Sequence, residues 1–259
     1  MSEQPGTDER LPSRRIADDL RLSIENGELA AGGKLPSERE LATRYGTARN
    51  TAREAIAILA SEGLVVAQHG RGVFVRPRRP LMRLGANRYS RRLREETGLS
   101  PFRIEVTRQG RTPRTETRSV TRAPAPDDVA DRLGLRPDAE VIHRENWYFA
   151  DDEPVQFGIT YIPVEVAGDS PLATEKCLGK GSIYGRFEEL GWPVARIREE
   201  ISARMPSPDE AASLAMPPGV PVIEVLHTSM DDWKRPFEVT RFVMRADLNG
   251  LDYDMPVED

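Results

Sequence analysis

The 259-residue chain has one cysteine, Cys177, so no disulfide can form within it and no cysteine-rich zinc site can be built. Histidine is nearly as scarce, with three residues. No long apolar run is present. The longest, Ala55–Ala60, falls far short of the ~18 residues a membrane span requires. The first 15 residues are polar and lack the ~7–15 apolar residues of a secretory signal. These absences point to a cytoplasmic protein without a membrane partner. Disorder is excluded as well, because 38% of the residues are hydrophobic, enough for two modest cores. At roughly 100–200 residues per domain, the length suits one large or two ordinary domains.

The net charge of −5 argues against nucleic-acid binding until its distribution is considered. Residues 34–94 carry 14 Lys/Arg and 4 Asp/Glu, whereas residues 95–259 carry 19 and 31. A basic block followed by a longer acidic one predicts two domains with different partners. The expected division is a disordered tail over 1–10, a DNA-binding domain over 11–76, an Arg-rich linker over 77–98, a sensor domain over 99–248 and a C-terminal tail over 249–259.

The basic block reads as three helices and a hairpin. Ile16, Leu20 and Ile24 recur at helical spacing after Ser13, a possible cap, and Gly27 stops the helix. Ser37 and Glu40 form a capping-box pattern, and Gly46 ends that helix. A third helix over 49–61 turns Ala52, Ala55, Ile56 and Leu59 inward. Leu64–Gln68 and Val73–Val75 are short strands joined by His69-Gly70-Arg71-Gly72, a glycine-rich hairpin loop. This order predicts a winged helix-turn-helix, whose last helix enters the major groove. Arg49 and Arg53, four apart, share the face opposite the apolar one, with Asn50 beside them. Arginine pairs with guanine and asparagine with adenine through two hydrogen bonds each.

The sequence Leu35-Pro36-Ser37-Glu38-Arg39-Glu40-Leu41-Ala42, followed by Arg49-Asn50-Thr51-Ala52-Arg53-Glu54-Ala55 and Gly70-Arg71-Gly72-Val73-Phe74-Val75, resembles the GntR family of bacterial transcription regulators. The resemblance implies DNA contacts at Arg39, Arg49, Arg53 and His69–Gly72, with Ser37 and Thr51 on phosphates. Two positions depart from the pattern: Ala48 stands where Ser or Thr is common, and Ala52 where Val is.

The acidic block holds an internal repeat. Ala130-Asp131-Arg132-Leu133 aligns with Ala211-Ala212-Ser213-Leu214, Val141-Ile142 with Val222-Ile223, and Pro154-Val155-Gln156 with Pro236-Phe237-Glu238. Each copy reads as helix, strand, charged turn and returning strand, which predicts an α+β fold with an antiparallel sheet. Asp151–Pro154, Tyr161-Ile162-Pro163, Ser182-Ile183-Tyr184 and Pro236-Phe237-Glu238 are similar to the UTRA effector domain of the HutC subfamily, a fold resembling chorismate lyase. The resemblance implies a pocket at Asn146, Tyr148, Ser182, Tyr184 and Glu238. Relatives that sense phosphosugars hold them with two arginines at the positions of Asn146 and Tyr148 and a glutamate at that of Gly158. Their loss argues for a less charged, partly apolar effector, not a phosphosugar.

No catalytic constellation, metal-ligand spacing or cofactor loop stands out. Gly179-Lys180-Gly181-Ser182 lacks the upstream glycine of a Walker motif, and Cys177, His143 and His227 read as structural. The reading is a non-enzymatic repressor, a homodimer on a palindromic operator released by a small-molecule effector. The alternatives are a DNA-tethered chorismate-lyase-like enzyme, expected to turn over a small carboxylate, and an architectural DNA-binding protein without an effector pocket.

Overall fold

The computed structural model describes residues 11–68, 70–76 and 80–254. They fall in two compact units, the described residues of 11–76 with 216–220 and residues 80–215 with 221–254.

The apolar stripe of the first helix, α1 (Pro12–Glu25), buries Ile16, Ala17, Leu20 and Ile24. Ser13 does not cap it. Leu11 is the cap residue and Pro12 occupies the first turn, where its missing N–H removes no helical bond, while Ser13 is buried inside the helix. The capping box of α2 (Glu38–Tyr45) forms as its spacing predicts. Glu40 N donates to Ser37 Oγ at 3.3 Å, and Ser37 N donates to the Glu40 carboxylate at 2.7 Å. Gly46 closes α2 in the left-handed conformation at φ 61°, where a side chain would be strained. The third helix, α3 (Arg49–Ser61), packs Ala52, Ala55 and Leu59 against α1 and Leu41 of α2. The hairpin of β1 (Val65–Gln68) and β2 (Gly72–Val75) completes this unit.

The second unit starts earlier and ends later than the sequence suggests. Residues 80–98, expected as linker, are folded: β3 (Leu81–Leu84), a 3-10 turn at Gly85–Tyr89 and α4 (Arg91–Thr97). Likewise Asn249–Asp252, expected as tail, is a strand paired in parallel with β3. The Arg-rich composition misleads because Arg83, Arg88 and Arg94 are not solvated. They are buried and ion-paired to Glu199, Glu105 and Glu188. Helix α5 (Pro101–Arg108), also unexpected, is capped by Ser100 and buries Phe102, Ile104 and Val106.

The sheet follows from the repeat. The first copy gives β4 (Pro113–Pro124), α6 (Asp127–Leu133), β5 (Glu140–Ala150) and β6 (Glu153–Pro163). Three short helices follow: α7 (Val164–Ala167), α8 (Pro171–Thr174) and α9 (Ser182–Glu189). The second copy gives β7 (Arg196–Arg204), α10 (Pro208–Ser213), β8 (Val222–Met230) and β9 (Pro236–Arg245), and the strand at Asn249–Asp252 is β10. The six-stranded sheet has the order β4-β5-β6-β9-β8-β7 and is antiparallel throughout.

The two copies therefore meet at β6 and β9. There Gly158 faces Phe242 and Thr160 faces Thr240. The shift that carries Pro154 onto Pro236 also carries Gly158 onto Thr240 and Thr160 onto Phe242, so this register maps onto itself. The duplication seen in sequence is a two-fold relation across the centre of the sheet. One face packs Val141, Tyr161 and Val239 under α6. Ile142 and Ile162 pack under α7, α8 and α9 on the opposite face, which also carries the cavity described next.

Candidate nucleic-acid interface and effector cavity

In the first unit, Arg49 and Asn50 occupy the exposed first turn of α3, with Thr51 half-buried behind them. Ala48 provides no side-chain cap, so the first N–H groups of α3 face outward with the positive end of the helix dipole. Arg39 is exposed on α2. Ser37 is engaged locally: its hydroxyl donates to Glu40 at 2.7 Å while accepting from Glu40 N.

Arg53 is held by a residue the sequence reading passed over. Its Nε and Nη2 each donate to the Glu38 carboxylate at 2.9 Å, tying α3 to α2. That hydrogen bond holds the Glu38 carboxyl below its ordinary range. Two of five guanidinium donors are used, and the Nη1–Nη2 edge remains for a base or phosphate. On the hairpin, Gly70 and Gly72 have φ of 71° and 116°. A Cβ at Gly72 would meet only the flexible end of Lys34, so its left-handed φ is what favours glycine there. Arg71 lies over the Phe74 ring at 5.6 Å. His69 lies outside the described residues.

In the second unit, all five predicted pocket residues, Asn146, Tyr148, Ser182, Tyr184 and Glu238, line one cavity of about 380 Å³. Strand alternation explains why. Arg144, Asn146 and Tyr148 of β5, Gln156 and Thr160 of β6, and Glu238, Thr240 and Phe242 of β9 share one face of the sheet. Tyr89, the start of α5 and the segment 176–184 complete the wall. Trp147 and His143 point to the other face, where Trp147 stacks on Phe157 and His143 packs on Tyr161.

Glu238 is buried. It accepts from Ser229 Oγ at 2.6 Å and from the Thr240 hydroxyl. His227, which the sequence reading treated as structural, lines the cavity and sits between two carboxylates. Its Nδ1 is 3.2 Å from Glu199, and its Nε2 is 3.7 Å from Glu238 and 3.3 Å from the Tyr184 hydroxyl. Glu199 also accepts from Arg83, from the Tyr89 hydroxyl at 2.6 Å and from the Tyr253 hydroxyl at 3.0 Å. Burial alone would raise the Glu199 carboxyl. The hydrogen bond with His227 and the adjacent Arg83 charge outweigh burial and hold it well below the carboxylate range. Burial pushes the Tyr148 hydroxyl up to about 12 and that of Tyr184 well above its ordinary value, so both face the cavity as neutral groups. Among the described residues, no three His, Cys, Asp or Glu side chains gather as metal ligands. No described helix is long and apolar enough to cross a membrane.

The gntR family of bacterial regulatory proteins matches residues 12–75, and the UTRA domain matches residues 108–248. An HTH-type transcriptional regulator of Rhizobium meliloti is 33% identical over 235 residues, covering 90% of this chain and 91% of that one. The chain belongs to the gntR family. It is a transcriptional regulator with a helix-turn-helix DNA-binding domain and a UTRA effector domain, and the matching families are regulators, not enzymes. The HTH-type transcriptional repressor NagR of Bacillus subtilis is 28% identical over 234 residues, 90% of each chain. The crystal structure of a GntR-family transcriptional regulator superposes with a TM-score of 0.62 at 28% identity, covering 96% of this chain and 99% of that one.

Within this GntR-family fold, the structure explains one departure and adds residues that sequence reasoning missed. A Cβ at Gly158 would lie 2.9 Å from the Phe242 ring, so Phe242 fills the space a side chain at 158 would need. Arg144, Gln156, His227 and Phe242 also line the cavity. Two-residue alternation from Asn146 could have found Arg144. The repeat could have found Gln156 and His227, since it places Gln156 with Glu238 and His227 with Asn146, and alternation along β9 from Glu238 could have found Phe242.

Proposed function

We propose that this regulator is a cytoplasmic repressor of the HutC subfamily. It binds a palindromic operator as a homodimer and releases it when a small molecule fills the cavity of the effector domain. The observation that carries the effector assignment is the convergence of Asn146, Tyr148, Ser182, Tyr184 and Glu238 on one cavity. They come from strands β5 and β9 and helix α9, far apart in sequence, which favours a binding site over chance lining. The uncharged side chains of Asn146 and Tyr148 favour an effector other than a phosphosugar. On the DNA side, the reading assigns base contacts to Arg49, Asn50 and Arg53. Arg39 and His69–Gly72 contact the backbone and groove edges, and Ser37 and Thr51 contact phosphates. Repression is favoured by the relative named a repressor. A dimer is favoured because two-fold proteins match two-fold operators.

The test is fluorescence-anisotropy binding to the DNA upstream of the protein's own gene at ~0.15 M salt, where non-specific contacts are weakened. Wild type should bind specifically and Arg49→Ala/Arg53→Ala should not. Equal, weak, salt-sensitive binding by both, with no palindrome enriched from random sequence, would remove the reading.

A further inference from the structure

Arg144 is the exception among the deeply buried arginines of the effector domain. Arg83 is paired with Glu199, Arg88 with Glu105 at 3.2 Å, Arg94 with Glu188 at 2.8 Å and Arg245 with Asp247 at 2.8 Å. Arg144 is only 1% exposed, yet it donates to two carbonyls, Leu172 O at 2.6 Å and Glu175 O at 2.9 Å. No described carboxylate forms an ion pair with it. The carbonyls satisfy N–H groups at the end of α8 but do not neutralise the charge. An uncompensated guanidinium away from water is strongly unfavourable, and burial here depresses its basicity.

We infer that the cavity takes an organic carboxylate, its single negative charge seated against Arg144. The inference rests on the reading of this cavity as the effector site. The chain around Arg144 suits an anion. Lys176 follows the carbonyl that accepts from Nη2 and also lines the cavity, as does the first turn of α9, whose cap residue Gly181 supplies no side chain. One buried charge is left to balance. A phosphate dianion would overcompensate it in a cavity that already contains the Glu238 carboxylate. Among the other lining residues, Phe102, Tyr148, Tyr184 and Phe242 give the cavity an aromatic side, which suits a partly apolar or aromatic body. Gln156, 2% exposed on the cavity face, has a side-chain nitrogen without a hydrogen-bond partner. It offers a second polar contact for an acceptor, several residues along the sheet from Arg144.

The experiment uses the full chain and matched probe sets. Each set has a carboxylate, its primary amide and the corresponding phosphate monoester, on phenyl, hydroxyphenyl, cyclohexyl and linear bodies. Binding is read by calorimetric titration and DNA release by anisotropy. Carboxylates should bind at least about tenfold more tightly than their amides and phosphates, the scale of one charge-assisted hydrogen-bonded contact. In Arg144→Gln, shown folded by its unfolding transition, that preference should vanish. If the variant does not fold, the wild-type ranking alone decides. Amides or phosphates binding as well as carboxylates, or no carboxylate binding at millimolar concentration, would overturn the inference. The two readings fail separately. A phosphate ester that binds and releases DNA would remove the ligand class and keep the effector site. A carboxylate that binds without releasing DNA would do the reverse.

Discussion

Replacing Arg83 with Met should destabilise the effector domain by less than a buried ion pair ordinarily implies, and the deficit can be worked from its neighbours. The Arg83 and Glu199 side chains are 2% and 9% exposed. Removing one partner of such a pair typically costs about 3–5 kcal/mol, because the other charge is left buried. Two features reduce that here. Glu199 would keep Tyr89, Tyr253 and His227 within hydrogen-bond distance. Arg83 itself carries two buried nitrogens, Nε and Nη1, without partners, and Met removes that burden. The expected loss is therefore about 2–3 kcal/mol, or roughly 4–12 °C in the effector-domain transition of a unit this size. Arg83→Met/Glu199→Gln should recover part of the loss, since it leaves no unpaired charge, with a coupling of roughly 1–2 kcal/mol. Differential scanning calorimetry of the full chain, with the two domain transitions resolved, reads these values. Additive losses in the double variant would show that the pair is not an energetic unit.

Three further outcomes are expected. The depressed Glu199 carboxyl adds stability that is fully present above its unfolded value of about 4.3 and is lost as pH falls below it. Glu199→Gln should accordingly flatten the acid limb of the effector-domain stability curve, and parallel limbs would contradict the shift. Ser37→Ala removes the capping box of α2 and should lower the stability of the DNA-binding unit by about 1 kcal/mol, measured by urea unfolding, with Ser37→Asp recovering most of it. Glu38→Gln should loosen Arg53 and lower the ratio of operator to random-DNA affinity by a few-fold, the small scale expected of an exposed pair, while binding to random DNA holds or tightens. An unchanged ratio would show that Glu38 does not position Arg53.

Local chemistry was legible in the sequence where one residue decides it. The capping box at Ser37, the stop at Gly46 and the start of α3 at Arg49 follow from short-range pattern, and the repeat from the likeness of two segments. The convergence of Asn146, Tyr148, Ser182, Tyr184 and Glu238 needed the resemblance as well, and the order of the strands was not read from the sequence at all. Charge was the misleading signal. Eight arginines between residues 76 and 94 read as a solvated linker, but three of them are buried on carboxylates more than ten residues away, pairings that no local pattern records. The same non-locality hid Arg144, whose partners are backbone carbonyls of a four-residue helix and of the residue that caps it.

The duplication gives these buried arginines a common logic. The repeat sets His227, Ser229 and Glu238 of the second copy where the first has Asn146, Tyr148 and Gln156. The register sets Glu199 opposite His227 as Thr117 stands opposite Asn146. Each half of the sheet thus presents a comparable polar patch on the same face. In the second half the chain fills the patch itself: Arg83 and Tyr89 bond Glu199, and Tyr89 approaches His227 at 3.3 Å. In the first half the corresponding space remains cavity, with Arg144 beside it. Coupling a ligand to a distant function requires an element whose position depends on occupancy. Strand β3 is linked to the cavity by contacts, because Arg83 on it is held by Glu199 and lies over Phe242 at 5.0 Å, and Phe242 lines the cavity. A ligand that draws Tyr184, His227 or Glu238 toward itself changes the hydrogen bonds available to Glu199. The bonds Arg83–Glu199, Glu199–His227 and His227–Tyr184 thus run without a gap from β3 to the wall of the open half.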